Sequence, residues 1–203
     1  HLLHNSIVYN FDVSQWMTKI SNDILDCQRE GGMVPCTAPT FAAGLDGDLP
    51  NWAAAMVLIP WKNYLAYGDV QQLQKAYQGM TAWMDYMQKQ APNDLVSYGL
   101  GDWCPVDKTT SVEFTESCTY YRVAEAMKQI ALILDQPDDA ARYAELETRI
   151  KNAIQQKYYH ADIQSYDSGS QAANAMAIYY GIVEPDQVQG VVGNLARAGE
   201  RAD

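Results

Sequence analysis

The sequence predicts an all-α fold of about seven helices. Apolar residues recur three and four apart through most of the chain, turn formers punctuate those runs, and no segment sustains the strict alternation of a strand. Near the N-terminus, Asp12 and Gln15 have the spacing of a capping box. Trp16, Ile20, Ile24 and Cys27 follow at helical intervals until Gly31-Gly32 stops them. From Val70 the stripe Leu73, Tyr77, Met80, Trp83, Met84 and Met87 predicts a second long helix, with Asp69 as its N-cap and Gly68 ending the element before. Val123, Met127, Ile130 and Leu134 mark a third. Tyr143, Leu146, Ile150, Ala153, Ile154 and Tyr158 mark a fourth, begun at Asp138 after Pro137. The Ala-rich stretch from Gln171 to Tyr180 ends at Gly181, and Pro185 is expected to open a last helix. Trp16 and Trp83, both on stripes, are expected in the core.

The junctions come in two kinds. Gly31 to Pro50 and Pro92 to Ser111 are long and rich in turn formers, whereas Gly68-Asp69, Gln136-Pro137 and Val183-Glu184-Pro185 are tight. Antiparallel pairing places alternate junctions at one end, so the long ones are expected on a shared rim, where loops carry function. No repeat of about 33–45 residues recurs, which disfavours a solenoid and leaves a toroid of helical hairpins. Residues 1–203 read as a single partial domain. The abrupt start at His1-Leu2-Leu3-His4 and stop at Glu200-Arg201-Ala202-Asp203 predict an internal segment of a longer chain. Its helix faces would then be uncovered in isolation, where it is expected to self-associate.

The balance of 25 acidic against 14 basic side chains, a formal charge of −11, disfavours nucleic acid and anionic lipid as partners. The longest apolar run, Trp52 to Trp61, falls far short of the ~20 residues of a membrane span. Cys27, Cys36, Cys104 and Cys118 lack the short paired spacings of a zinc site and are expected as free buried thiols, with one disulfide open if the protein is exported. With His1, His4 and His160 as the only histidines, no metal centre or cofactor is expected, and Asp46-Gly47-Asp48 reads as a turn rather than a calcium loop.

The aromatic complement is 14 Tyr and 5 Trp against 3 Phe. Both favoured types join an apolar face to a polar handle, which matches the C–H faces and hydroxyls of a sugar. Trp52, Trp61 and Trp103 lie near loop–helix boundaries beside Pro or Gly. In Gly101-Asp102-Trp103 a carboxylate stands next to an indole, so it can bond sugar hydroxyls while the ring stacks; Asn51-Trp52 after Pro50 is a second such pair. A capped loop with a packed Trp is the competing reading. Glu113 and Glu116, close to a helix start, read as capping charges. Glu145 and Glu147 read as solvated, and Asp107 is left undecided.

Several segments, taken in order, resemble glycoside hydrolase family 78, the bacterial α-L-rhamnosidases. They are Tyr9-Asn10-Phe11-Asp12-Val13, Asp26-Cys27-Gln28 with Gly32-Met33-Val34-Pro35 and Ala38-Pro39, Trp52 with Pro60-Trp61 and Tyr67-Gly68-Asp69, Gly101-Asp102-Trp103, Tyr120-Tyr121, and Ser170-Gln171-Ala172-Ala173-Asn174-Ala175. The resemblance implies part of an (α/α)6 barrel that hydrolyses terminal α-linked L-rhamnose with inversion, using an acid and a base held about 6.5–9.5 Å apart. The family's acid motif, Arg/Glu/Gly-Trp, and its Thr-Trp-Glu base motif are both absent here, so the resemblance implies no catalytic residue within the chain. It implies instead a sugar-pocket wall, with Trp52 and Trp103 as stacking aromatics, Asp102 beside the latter, and Asn51 and Trp61 as further members. Asn51-Trp52-Ala53-Ala54 departs from the family's Trp-Gly pattern. The implied partners are terminal L-rhamnose and the remainder of the parent chain, and the location that the resemblance favours is periplasmic or secreted. Another six-hairpin glycosidase, a sugar phosphorylase, and a non-catalytic glycan-binding or scaffold module are the alternatives. The enzyme reading requires Trp52, Asp102 and Trp103 to converge at one end of the bundle.

Overall fold

The structure, a computed structural model, describes residues 3–40, 44 and 46–200. Nine helical segments occur among them, seven of which have nine residues or more. A short α1 (His4–Val8) leads into α2 (Ser14–Cys27). The capping box does not form: Asp12 Oδ1 accepts from Ser14 N, a tight local turn, and no side chain caps α2. The buried face of α2 runs through Val13, Met17, Ser21 and Ile24, which turns Trp16 outward to 52% exposure, against the core placement expected for it. The small Ser21 lets this face approach its neighbours, and α2 packs on α4 (Ala55–Tyr67) and α5 (Val70–Gln90).

Between them, α3 (Pro50–Ala53) opens on Pro50, where the missing N–H costs nothing, and meets α4 at Ala54. Gly68 closes α4, and Asp69 caps α5 by accepting from Gln72 N at 3.1 Å. Of the α5 stripe, Leu73, Met80, Trp83, Met84 and Met87 are buried as the periodicity predicts, and Tyr77 is half-buried, its hydroxyl donating to Asp139. Ser111 caps α6 (Val112–Ile133), and α7 (Pro137–Tyr158) returns along it after a tight turn. A two-residue hairpin follows, β1 (Tyr159–His160) against β2 (Ser165–Tyr166), antiparallel with Tyr159 opposite Tyr166. Then come α8 (Gln171–Tyr179), capped by Ser170, and α9 (Val188–Glu200). Pro185 lies in the turn before α9 rather than inside it.

The central element is α6. It packs against α3, α4, α5, α7 and α8, and residues 114–121 are buried on every side, the condition of a helix surrounded by others. Glu147 is not a solvated charge, since it pairs with Lys128 of α6 at 2.5 Å across the α6–α7 interface. Three long junctions end up together at one end: the described residues of 28–49, and residues 91–111 and 159–170. Thr109, Thr110 and Ser111 bond Ser168, Ser170 and Asp167, and Tyr98 bonds Asp48.

Candidate functional site

This end of the bundle is held by carboxylates. Asp48, at the end of the first long junction, accepts from the Tyr86 hydroxyl of α5 at 2.7 Å and from the Tyr98 hydroxyl of the second junction at 2.5 Å, both on Oδ2. Burial, reinforced by the Asp48 bond and charge, pushes the Tyr86 phenol up to about 12 and Tyr98 well above its ordinary value. Asp167 takes the backbone N–H and hydroxyl of Ser111 at 2.8 and 2.7 Å, so the cap of α6 is tied to the hairpin.

Below the junctions lies Glu116, 0% exposed in the second turn of α6. Its Oε2 accepts from Asn51 N and its Oε1 from Gly101 N, both at 3.0 Å. Burial raises its carboxyl to about 7, against the pull of amide bonds from Gly101, Asn51 and Leu100, with the Asp48 charge adding to the rise. The loop above it is shaped to admit the carboxylate. Gly99 has φ +133, and a Cβ there would stand 2.2 Å from Glu116 Oε1; Gly101 has φ +68. Glu116 is therefore not a capping charge, because Ser111 fills that role. Nor does Glu113 cap by contact: it is held by Lys157 and Tyr158 of α7.

Trp52 directly follows the first of these two amides, and Trp103 lies two residues after the second. Trp52 at 48% exposure and Trp103 at 66% stand with ring centroids 6.5 Å apart and planes at 77°, edge to face. Asp102, half-buried between Gly101 and Trp103, takes no hydrogen bond among the described residues. Asn51 joins the group through its backbone, while its Oδ1 is buried without a partner among those residues. The structure thus brings together Trp52, Trp103, Asn51 and the Asp102 loop.

Trp61 is elsewhere. It lies inside α4 rather than at a boundary, 8% exposed, stacked on Tyr64 at 5.8 Å and part of the buried core cluster. Asp107 is exposed and closes a local turn by accepting from Thr109 N. Asp46 pairs with Arg29 at 3.1 Å, and among the described residues no group of three His, Cys, Asp or Glu could hold a metal ion. Cys118 is buried, Cys27 half-buried and Cys104 exposed, so burial of the thiols holds for only part of the set. Among the described residues no helix is long and apolar enough to cross a membrane. An open cleft of about 380 Å³ lined by Arg122, Glu125, Tyr179, Tyr180 and Gly181 shares no residue with the indole rim.

Sequence reasoning missed Glu116 as a feature of the rim. The available signal was its setting: Phe114 to Tyr121 holds no other charge, which marks a helix segment with no solvent face.

The geometry can be set beside known proteins. The sequence model of the bacterial alpha-L-rhamnosidase 6 hairpin glycosidase domain matches residues 1–203. An alpha-L-rhamnosidase of Streptomyces avermitilis is 32% identical over 155 residues, 76% of this chain and 15% of that protein. The structure of alpha-L-rhamnosidase from Dictyoglumus thermophilum superposes with a TM-score of 0.91 at 31% identity, over 96% of this chain and 22% of the other. That of the Streptomyces avermitilis alpha-L-rhamnosidase complexed with L-rhamnose gives 0.87 at 28% identity, over 94% and 18%. The chain therefore spans about a fifth of the length of these relatives or less.

Proposed function

Because the chain belongs to the bacterial alpha-L-rhamnosidase six-hairpin glycosidase family, we propose that it forms the sugar-pocket wall of an inverting α-L-rhamnosidase. The observation that carries this reading is the exposed indole pair of Trp52 and Trp103, beside a carboxylate that no protein group occupies among the described residues. Two rings at 77° give a corner rather than a flat shelf. One indole face takes the C–H surface of a pyranose while the other ring bounds its edge, and Asp102 accepts from the sugar hydroxyls. Deoxygenation at C6 makes L-rhamnose more apolar at one edge than most hexoses, which suits a site with two indoles. The acid and base of an inverting hydrolysis belong, on this reading, to other segments of the full-length enzyme. This chain selects and orients the sugar.

The test is kinetic, on the full-length protein with an aryl α-L-rhamnoside. Trp52→Ala and Trp103→Ala are each expected to raise KM about tenfold or more, ~1.4 kcal/mol of lost binding, with kcat changed much less. Unchanged KM in both variants would overturn the pocket reading.

A further inference from the structure

Glu116 is closed to solvent and, among the described residues, no Lys or Arg pairs with it. A buried carboxylate without a cation is costly, and an apolar side chain would fill the same space without that cost. What its two oxygens do is join two loops that lie 50 residues apart in the sequence: Asn51 N binds one and Gly101 N the other. Trp52 follows the first amide directly, and Trp103 lies two residues after the second. Gly99 leaves the room that the carboxylate needs under the second loop.

We propose that Glu116 is a positioning residue for sugar recognition: by bridging the amides of Asn51 and Gly101 it fixes the spacing and angle of Trp52 and Trp103 before the sugar arrives. The inference rests on the pocket reading above. A carboxylate suits the task because both oxygens accept. A glutamine of the same size presents one acceptor, so its NH2 group confronts an N–H donor and one loop is released. An aspartate keeps the charge but is one methylene too short to reach both amides. Setting the indoles in advance removes the ordering cost from the binding step, so the effect falls on KM.

The experiment uses full-length Glu116→Gln, with Glu116→Asp carrying the same test if the first does not fold. Two readouts separate the clamp from the pocket. Without sugar, the near-UV circular dichroism of the paired indoles is expected to change in Glu116→Gln and not to change in Glu116→Gln made on a Trp103→Phe background, where the pair is already broken. With an aryl α-L-rhamnoside at about pH 8.5, where the carboxyl of Glu116 is ionised, KM is expected to rise about tenfold with kcat within about threefold of wild type. A side chain that merely fills space would be replaced by glutamine without either effect. An unaltered spectrum, or an unaltered KM while Trp52→Ala and Trp103→Ala raise it, overturns the positioning role and leaves the pocket reading standing. An altered spectrum with KM insensitive to all three substitutions instead overturns the pocket reading, and the positioning of a sugar falls with it.

Discussion

Acidification from pH 8 to pH 5 is expected to stabilise the fold through Glu116, and Glu116→Gln should abolish that component. Burial is the largest influence on this carboxyl and takes it from 4.5 to about 7 in spite of the opposing amide bonds. The folded state therefore binds a proton more tightly than the unfolded chain does, and between the two values it holds more protons. Stability from this group is complete below about 4.5 and is lost as the pH rises through about 7. The gap, at ~1.36 kcal/mol per pH unit, sets a ceiling of about 3 kcal/mol. Glu113 does not interfere in this window. Burial alone would raise its carboxyl, but bonds from Lys157 and Tyr158 and the Lys157 charge hold it below its ordinary value of 4.5, so its contribution is lost only at lower pH. Urea unfolding of the full-length wild type and variant from pH 5 to 8.5 provides the assay. The stability of the wild type relative to Glu116→Gln should fall by about 2–3 kcal/mol across the range. Parallel profiles, within about 0.5 kcal/mol of each other, would refute the reasoning.

Three further substitutions test how the rim and core are held. Asp48→Ala leaves the hydroxyls of Tyr86 and Tyr98 without their shared acceptor and should cost about 2–3 kcal/mol in urea unfolding, whereas a cost near zero would show that the two phenols find water equally well. Trp83→Ala empties a fully buried position on α5 and should cost about 3–5 kcal/mol by the same measurement; a loss under about 1 kcal/mol would mean that the helices close over the cavity. Asp167→Ala removes both bonds to Ser111, so amide hydrogen exchange at the start of α6 should quicken by about tenfold or more while the middle of the helix keeps its protection. Uniform acceleration along α6 would contradict that local role.

The helices were readable where one face is apolar and the other charged. The α5 and α7 stripes, the Asp69 cap and the two long junctions follow from spacing and turn chemistry alone. The reading slipped on α2 only at Trp16: Ile24 is buried and Ile20 is packed against the core, but the buried face is centred on Met17, Ser21 and Ile24 and leaves Trp16 outside it. That face includes Ser21, whose value is its small size rather than its polarity. At the candidate site, Trp52, Asp102 and Trp103 were singled out through their glycine and proline neighbours, and the same cue put Trp61 at a helix boundary, whereas Pro60 lies inside α4 instead of ending a helix. Glu116 escaped for a different reason. Its partners are backbone amides, which any residue supplies, so no side chain in the sequence advertises the contact.

Three carboxylates at the rim, unlike Asp102, share one arrangement: Asp48 takes two phenols, Glu116 two amides, and Asp167 an amide and a hydroxyl. Ordering a loop costs roughly 1–2 kcal/mol of backbone entropy per residue, and loops that expose their largest apolar side chains cannot recover it by burial. Trp52 and Trp103 are left open, so their ordering has to come from polar ties beneath them. Anionic acceptors with two donors each are the strongest ties available without a metal, because charged hydrogen bonds exceed neutral ones about twofold. Each of them, however, takes charge wholly or partly out of water, Glu116 being buried and Asp48 and Asp167 half-buried, so order at the rim is obtained at the expense of the helices that support it. Glu116 shows that exchange most sharply: ionised above about pH 7, it holds both indole loops while weakening the core around α6.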